Sequence, residues 1–248
     1  MDDSGRVAIV TGAARGIGYA ISERFALDGY CVAMLDLNYA MVLESVQRLR
    51  DAGGEAAGFR CDVSDIGDID DAVKAVAEKY GGVDVLVNNA AIMFSTPIEE
   101  VTGEEWDKVL AVNLRGMFFA VQKALPYLKA SSYPRIINIS SMAGRTGGHN
   151  TGISYTASKG GVIAMTKGLA RQLAQFNITV NTICPGTVES EIFSEWSDEK
   201  KNSLLLRNPF GRLGQPQEVA SAVCYLASEE TGYITGTTMD VNGGSFIG

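Results

Sequence analysis

The sequence predicts an α/β fold: a doubly wound parallel sheet, helices on both faces, in one domain. Two observations carry that expectation. Short, continuous apolar runs recur at 6–10, 32–35, 83–87, 136–139 and 178–183. They lack the polar alternation of a strand with one wet face, as strands covered on both sides do. Between them lie segments of helical periodicity, roughly 17–28, 39–52, 66–79, 104–129, 156–175 and 216–227. Strand alternating with helix implies parallel βαβ crossovers. No linker, internal repeat or low-complexity tract interrupts this order, so residues 1–248 read as a single domain. The stretch 187–210 stands apart. It is long and mixes acids with Phe193, Trp196 and Leu204 to Leu206, and it reads as a lid inserted beyond a strand end.

Composition narrows the function. The 248 residues are 46% hydrophobic and 20% charged, enough for a full core, with a net charge of −8. An acidic chain without a basic run is a poor partner for nucleic acid or anionic lipid. No apolar run reaches the ~18 residues that span a bilayer. The N-terminus is acidic, shows no signal-peptide pattern and leads straight into a strand, so a soluble cytoplasmic protein is expected. Cys31, Cys61, Cys184 and Cys224 are scattered without metal-ligand spacing, which predicts buried, reduced thiols and no metal site.

In chain order, the first strand runs into Thr11, Gly12, Ala13, Ala14, Arg15, Gly16, Ile17 and Gly18. Small residues at a strand-to-helix turn let the backbone approach a pyrophosphate, and the helix N-terminus favours its charge. Asp36 ends the second strand about twenty residues on, where a carboxylate accepts hydrogen bonds from ribose hydroxyls and repels a 2′-phosphate. It argues for NAD; Arg15, which can pair with that phosphate, argues for NADP and carries less weight. Asp62 and Val63 end the third strand and suit an adenine edge, or a plain helix-capping loop. Asn88, Asn89, Ala90 and Ala91 end the fourth, near the point where strand order reverses. Asn113 lies inside the apolar helical stretch 106–120 and needs buried partners, either a water or core groups. Tyr155 and Lys159, four apart on a helix, share one face. A free tyrosine titrates near ~10, and a cation beside it is expected to lower that value.

Taken together, these residues resemble the short-chain dehydrogenase/reductase family. The shared positions are Thr11-Gly12-x-x-x-Gly16-x-Gly18, Asp36, Asp62, Asn88-Asn89-Ala90, Asn113, Ile139-Ser140-Ser141, Tyr155-x-x-x-Lys159, Pro185-Gly186, Arg212-x-Gly214-x-Pro216-x-Glu218, and Ile234-Thr235-Gly236 followed by Asp240-x-x-Gly243-Gly244. They run nearly end to end. The resemblance implies a Rossmann-type sheet of about seven strands and a catalytic tetrad of Asn113, Ser141, Tyr155 and Lys159, with Ser140 competing for the serine role. It adds Asn89, Ala90, Pro185, Gly186, Val188 and Ser190 to the cofactor contacts. Three departures stand out: the gap from Ser141 to Tyr155 is one residue longer than usual, Ala91 replaces a glycine, and Ser190 stands where threonine is common.

The implied roles are proton exchange at the substrate oxygen by Tyr155, support of its phenolate by Lys159, orientation of that oxygen by Ser141, and a water kept by Asn113. Met93, Phe94, Met142, His149, Asn150, Thr187, Ile192, Phe193 and Trp196 are candidate substrate contacts. Their mixed character suits a small alcohol or ketone: a polyol, sugar or hydroxy acid oxidised with NAD. A 3-oxoacyl reductase using NADPH is the alternative, and a non-catalytic nucleotide-binding scaffold a third reading. The small-residue helices 104–129 and 156–175 suggest, through the resemblance, a homotetramer.

Overall fold

The computed structural model describes residues 5–148, 151–190, 205–206 and 208–248. Its seven parallel strands are β1 (Val7–Thr11), β2 (Cys31–Asp36), β3 (Glu55–Arg60), β4 (Val85–Asn88), β5 (Arg135–Ile139), β6 (Thr179–Pro185) and β7 (Thr238–Val241), in the order β3-β2-β1-β4-β5-β6-β7. The order reverses between β1 and β4, which leaves a crevice above their C-terminal ends.

The helices are α1 (Gly16–Leu27), α2 (Tyr39–Asp51), α3 (Ile66–Tyr80), α4 (Gly103–Leu110), α5 (Gly116–Ala130), α6 (Ala143–Thr146), α7 (Ile153–Leu173) and α8 (Pro216–Ala227). Side-chain alternation along β1 shows why the strands read as continuous apolar runs. Ala8 and Val10 face a core made with α1, α2 and α8, while Val7 and Ile9 face a second core made with α3, α5 and α7. Both faces are dry, so neither needs polar residues. Asn38, Asp65 and Thr102 each accept a backbone N–H in the first turn of the helix that follows, and these caps fix where α2, α3 and α4 begin.

Four points differ from what the sequence leads one to expect. The edge strands β3 and β7 lack the continuous apolar runs of the inner five. The third strand closes at Arg60, so Asp62 and Val63 stand in the loop beyond it. The helix expected over 104–129 is interrupted by a π turn at Ala111–Arg115. None of the four cysteines forms a disulfide, but only Cys61 and Cys184 are buried; Cys31 and Cys224 are half-buried. Among the described residues, no helix is long and apolar enough to cross a membrane.

Candidate active site

The crevice is built first by the β1–α1 turn. Thr11 ends β1, and its hydroxyl accepts the backbone N–H groups of Asn89 (3.0 Å) and Ala90 (3.1 Å). Asn89 Nδ2 returns two bonds, to the carbonyls of Thr11 (2.9 Å) and Gly12 (3.0 Å). The loops after β1 and β4 are thereby locked together. A Cβ at Gly18 would fall 2.1 Å from the Gly12 carbonyl oxygen, so only glycine lets α1 start this close to the turn. The first turn of α1 carries no acid, and Arg15 before it is exposed. This open N-terminus suits an anion.

Asp36 sits against the same turn. Its Oδ2 accepts Ala14 N–H at 3.1 Å and its Oδ1 accepts Asn38 N–H at 2.9 Å. The carboxylate is therefore a fixed negative charge. Asp62 is held differently: Oδ1 accepts both the N–H (2.9 Å) and the hydroxyl (2.7 Å) of Ser64. The glycine cradle and the anchored carboxylate fit a dinucleotide.

The second half of the site comes from β5, α6 and α7. Lys159 is 1% exposed, and its Nζ donates to the Ile139 carbonyl at 2.9 Å. Burial pulls its pKa down from 10.5 to about 8. The two serines after β5 part company. Ser140 is buried and donates to the Lys159 carbonyl at 2.8 Å. Ser141 accepts Ala143 N–H at 3.1 Å and hydrogen-bonds the Tyr155 hydroxyl. Ser141, not Ser140, is thus the hydroxyl that meets Tyr155. The backbone of α6 presses on α7: a Cβ at Gly144 would lie 2.7 Å from the Lys159 carbonyl carbon.

The pKa of Tyr155 departs from the sequence expectation. Burial pushes it up, only partly offset by the Ser141 hydrogen bond. The Lys159 ammonium lies 5.6 Å from the centre of the Tyr155 ring and is directed to a backbone carbonyl. It does not act as a close counter-ion to the hydroxyl, so desolvation dominates.

Asn113 is fully buried in the π turn, a distortion often found at functional sites. Its Oδ1 accepts Ile92 N–H (2.8 Å), and its Nδ2 donates to the Ile92 carbonyl (2.9 Å) and to Ser158 Oγ (3.1 Å). Ser158 in turn donates to the Tyr155 carbonyl at 2.6 Å. Both amide hydrogens are committed, so a water could only donate to the remaining lone pair of Oδ1. The side chain links the post-β4 loop to the tyrosine helix. Ile92 and Ser158 escaped the sequence reading; Ser158, three residues after Tyr155 on the same helix, was the signal available.

Of the substrate candidates, Met93 and Phe94 are exposed, Met142 is half-buried with its N–H on the Pro185 carbonyl (2.9 Å), and Thr187 accepts Gly214 N–H at 3.0 Å. Phe94 also accepts Gly152 N–H at 2.9 Å, which brings the post-β4 loop to the start of α7. Gly186 donates to Val241, Val188 bridges to Gly214, and Ser190 is exposed. His149, Asn150, Ile192, Phe193, Trp196 and most of the expected lid lie outside the described residues. Among those described, no group of His, Cys, Asp and Glu is placed to hold a metal ion.

Comparison with known proteins gives concordant matches. A family model described as enoyl-(acyl carrier protein) reductase matches residues 12–245. The chain is 40% identical over 245 residues to the 3-oxoacyl-(acyl-carrier-protein) reductase FabG of Staphylococcus aureus, covering 97% of this chain and 98% of that one. It is 39% identical over 249 residues to the FabG of Vibrio cholerae, covering the whole of both. Among solved structures, a dehydrogenase/reductase from Sinorhizobium meliloti 1021 superposes with a TM-score of 0.93 at 36% identity, covering 98% of this chain and 96% of the other.

Proposed function

The chain belongs to the short-chain dehydrogenase/reductase family, a family of nicotinamide-dependent oxidoreductases, and from that premise we propose that it reduces a 3-oxoacyl thioester to the 3-hydroxyacyl product with NADH. The relatives favour the 3-oxoacyl reading of the sequence over the polyol, sugar or hydroxy-acid reading, because the likeness extends over the full length of chains bearing that name. Asp36 supports NADH: both of its oxygens are held by backbone N–H groups, so it cannot swing away from a 2′-phosphate. NADPH, paired with the reductase alternative on sequence grounds, meets that fixed charge.

A bound nicotinamide supplies the hydride. The protein supplies the proton and the geometry. Tyr155, kept protonated by burial, donates its proton to the substrate oxygen as negative charge develops there. Ser141, already on the Tyr155 hydroxyl, holds that oxygen by a second hydrogen bond. Lys159 places a cation beneath the site, 5.6 Å from the centre of the Tyr155 ring and held there by the Ile139 carbonyl. Asn113 holds the post-β4 loop and the tyrosine helix in register. The observation that carries the reading is the meeting of Ser141 and Tyr155 above buried Lys159.

The second reading, NAD-linked oxidation of a small hydroxylated alcohol, is favoured by the net charge of −8, which repels an acidic carrier. Initial rates decide between them: NADH and NADPH with 3-oxobutyryl coenzyme A, against NAD and NADP with polyols, sugars and hydroxy acids. Turnover of the thioester, faster with NADH, is expected. Turnover confined to the alcohols would replace the first reading with the second. Assembly as a homotetramer is part of the proposal, and a light-scattering mass tests it.

A further inference from the structure

The lengthened connection between Ser141 and Tyr155 contains a cation with an unusual set of partners. Arg145 lies on α6, four residues after Ser141, and its guanidinium reaches the far edge of the sheet. Its Nη1 is 3.4 Å from Asp240 Oδ2 on β7. Its Nη2 donates to the Gly248 carbonyl at 3.4 Å, and its Cζ lies 4.8 Å from the centre of the Phe246 ring. The Arg145 and Asp240 side chains are each 21% exposed, so the pair is screened less than a surface ion pair. Asp240 Oδ1 is buried with no hydrogen-bond partner among the described residues, and Arg145, on Oδ2, is the cation that partly offsets the burial of this carboxylate.

At its other end, α6 is rigidly tied to Ser141. The Met142 carbonyl accepts the N–H groups of Arg145 (2.9 Å) and Thr146 (3.0 Å), the Ser141 carbonyl accepts Gly144 N–H (3.0 Å), and Ala143 N–H meets Ser141 Oγ. Gly144 allows no space between this turn and the Lys159 backbone. A tilt of α6 about that contact therefore displaces the Ser141 hydroxyl relative to Tyr155.

We propose that Arg145 is a positioning residue: by clasping Asp240 and the C-terminal residues Phe246 and Gly248, it fixes the tilt of α6 and so the aim of the Ser141 hydroxyl at the substrate oxygen. The proposal rests on the reading of Ser141 given above. It assigns a reaction-tuning role to β7 and to residues 246–248.

The test compares Arg145→Met, Arg145→Lys, Asp240→Ala and Ser141→Ala in the full chain, by steady-state kinetics and by titration of NADH binding. Displacements of about 1 Å at a reacting centre lower turnover by up to about a hundredfold, so Arg145→Met should lower kcat by at least about tenfold with NADH affinity unchanged. Lysine should restore part of the loss, since it reaches Asp240 but lacks the fork and the ring contact. Because both residues act in one clasp, the Arg145→Met/Asp240→Ala double variant should be no worse than the weaker single variant. If Arg145→Met fails to fold, Asp240→Ala carries the same expectation. Wild-type kcat in whichever of these variants folds, while Ser141→Ala is inactive, would overturn the clasp and leave the reading of Ser141 standing. Full turnover by Ser141→Ala would overturn both.

Discussion

Replacing Lys159 by methionine should abolish turnover and make the protein more stable. The ammonium is 1% exposed and, among the described residues, has one backbone acceptor and no carboxylate partner. The depression of its pKa from 10.5 to about 8 corresponds to about 3 kcal/mol of unfavourable folding free energy at neutral pH. The sign follows from proton binding. The unfolded chain holds this proton more tightly than the folded one, so the penalty is complete below about pH 8. It fades as pH rises toward the unfolded value of 10.5. Methionine fills the slot without charge but forfeits the bond to Ile139, worth about 1 kcal/mol. The net gain of about 2 kcal/mol at pH 7 raises Tm by about 5 °C in a chain of this size. The assay is thermal unfolding of both proteins across the alkaline range. The difference between them is the quantity to follow, because buried acids such as Cys61, pushed up to about 12, weaken both proteins as pH rises. A variant no more stable than wild type at pH 7, or a difference that does not shrink between pH 8 and 10.5, would refute the unpaired buried cation.

Other parts of the site give equally direct expectations. Gly18→Ala places a methyl 2.1 Å from the Gly12 carbonyl and should weaken NADH binding by more than about tenfold, or about 1.4 kcal/mol; titration with unchanged affinity would show that α1 can shift at no cost. Asn113→Leu strips Ile92 of both backbone partners and Ser158 of one. It should lower stability by about 3 kcal/mol, read from the urea midpoint, and an unmoved midpoint would mean that water replaces the amide. Because burial raises the Tyr155 pKa, the reverse reaction, oxidation of the hydroxy product, should speed up through the alkaline range as the phenolate base forms; a pH-independent rate would remove Tyr155 from the proton-transfer step.

What could be read in the sequence was local or periodic. The β1–α1 turn, Asp36 and the Tyr155–Lys159 face were legible because a strand-to-helix glycine cluster, a strand-end carboxylate and a helical spacing each fix their own geometry. The five inner strands announced themselves because burial on both faces removes polar residues. The edge strands did not: Glu55 to Arg60 must meet water on one side, and the sequence there loses its apolar character. The π turn around Asn113 left the hydrophobic periodicity on both sides intact, so periodicity alone could not show it. The direction of the Tyr155 shift was also out of reach. It depends on where the Lys159 ammonium points, and the Ile139 carbonyl at the end of β5 decides that. Arg145 illustrates the same limit, since its partners lie nearly a hundred residues further along the chain.

Proton delivery by Tyr155 during hydride reduction of a 3-oxoacyl carbon can be followed with an isotopic label. The most direct measurement uses NADH deuterated at C4 with 3-oxobutyryl coenzyme A, in wild type and in Tyr155→Phe, with mass spectrometry of the product. Deuterium on C3 of the 3-hydroxybutyryl product is predicted for wild type, with at least about a hundredfold slower formation in the variant. No labelled product from wild type would rule out hydride transfer to this carbon, and formation by Tyr155→Phe at the wild-type rate would rule out Tyr155 as the proton donor.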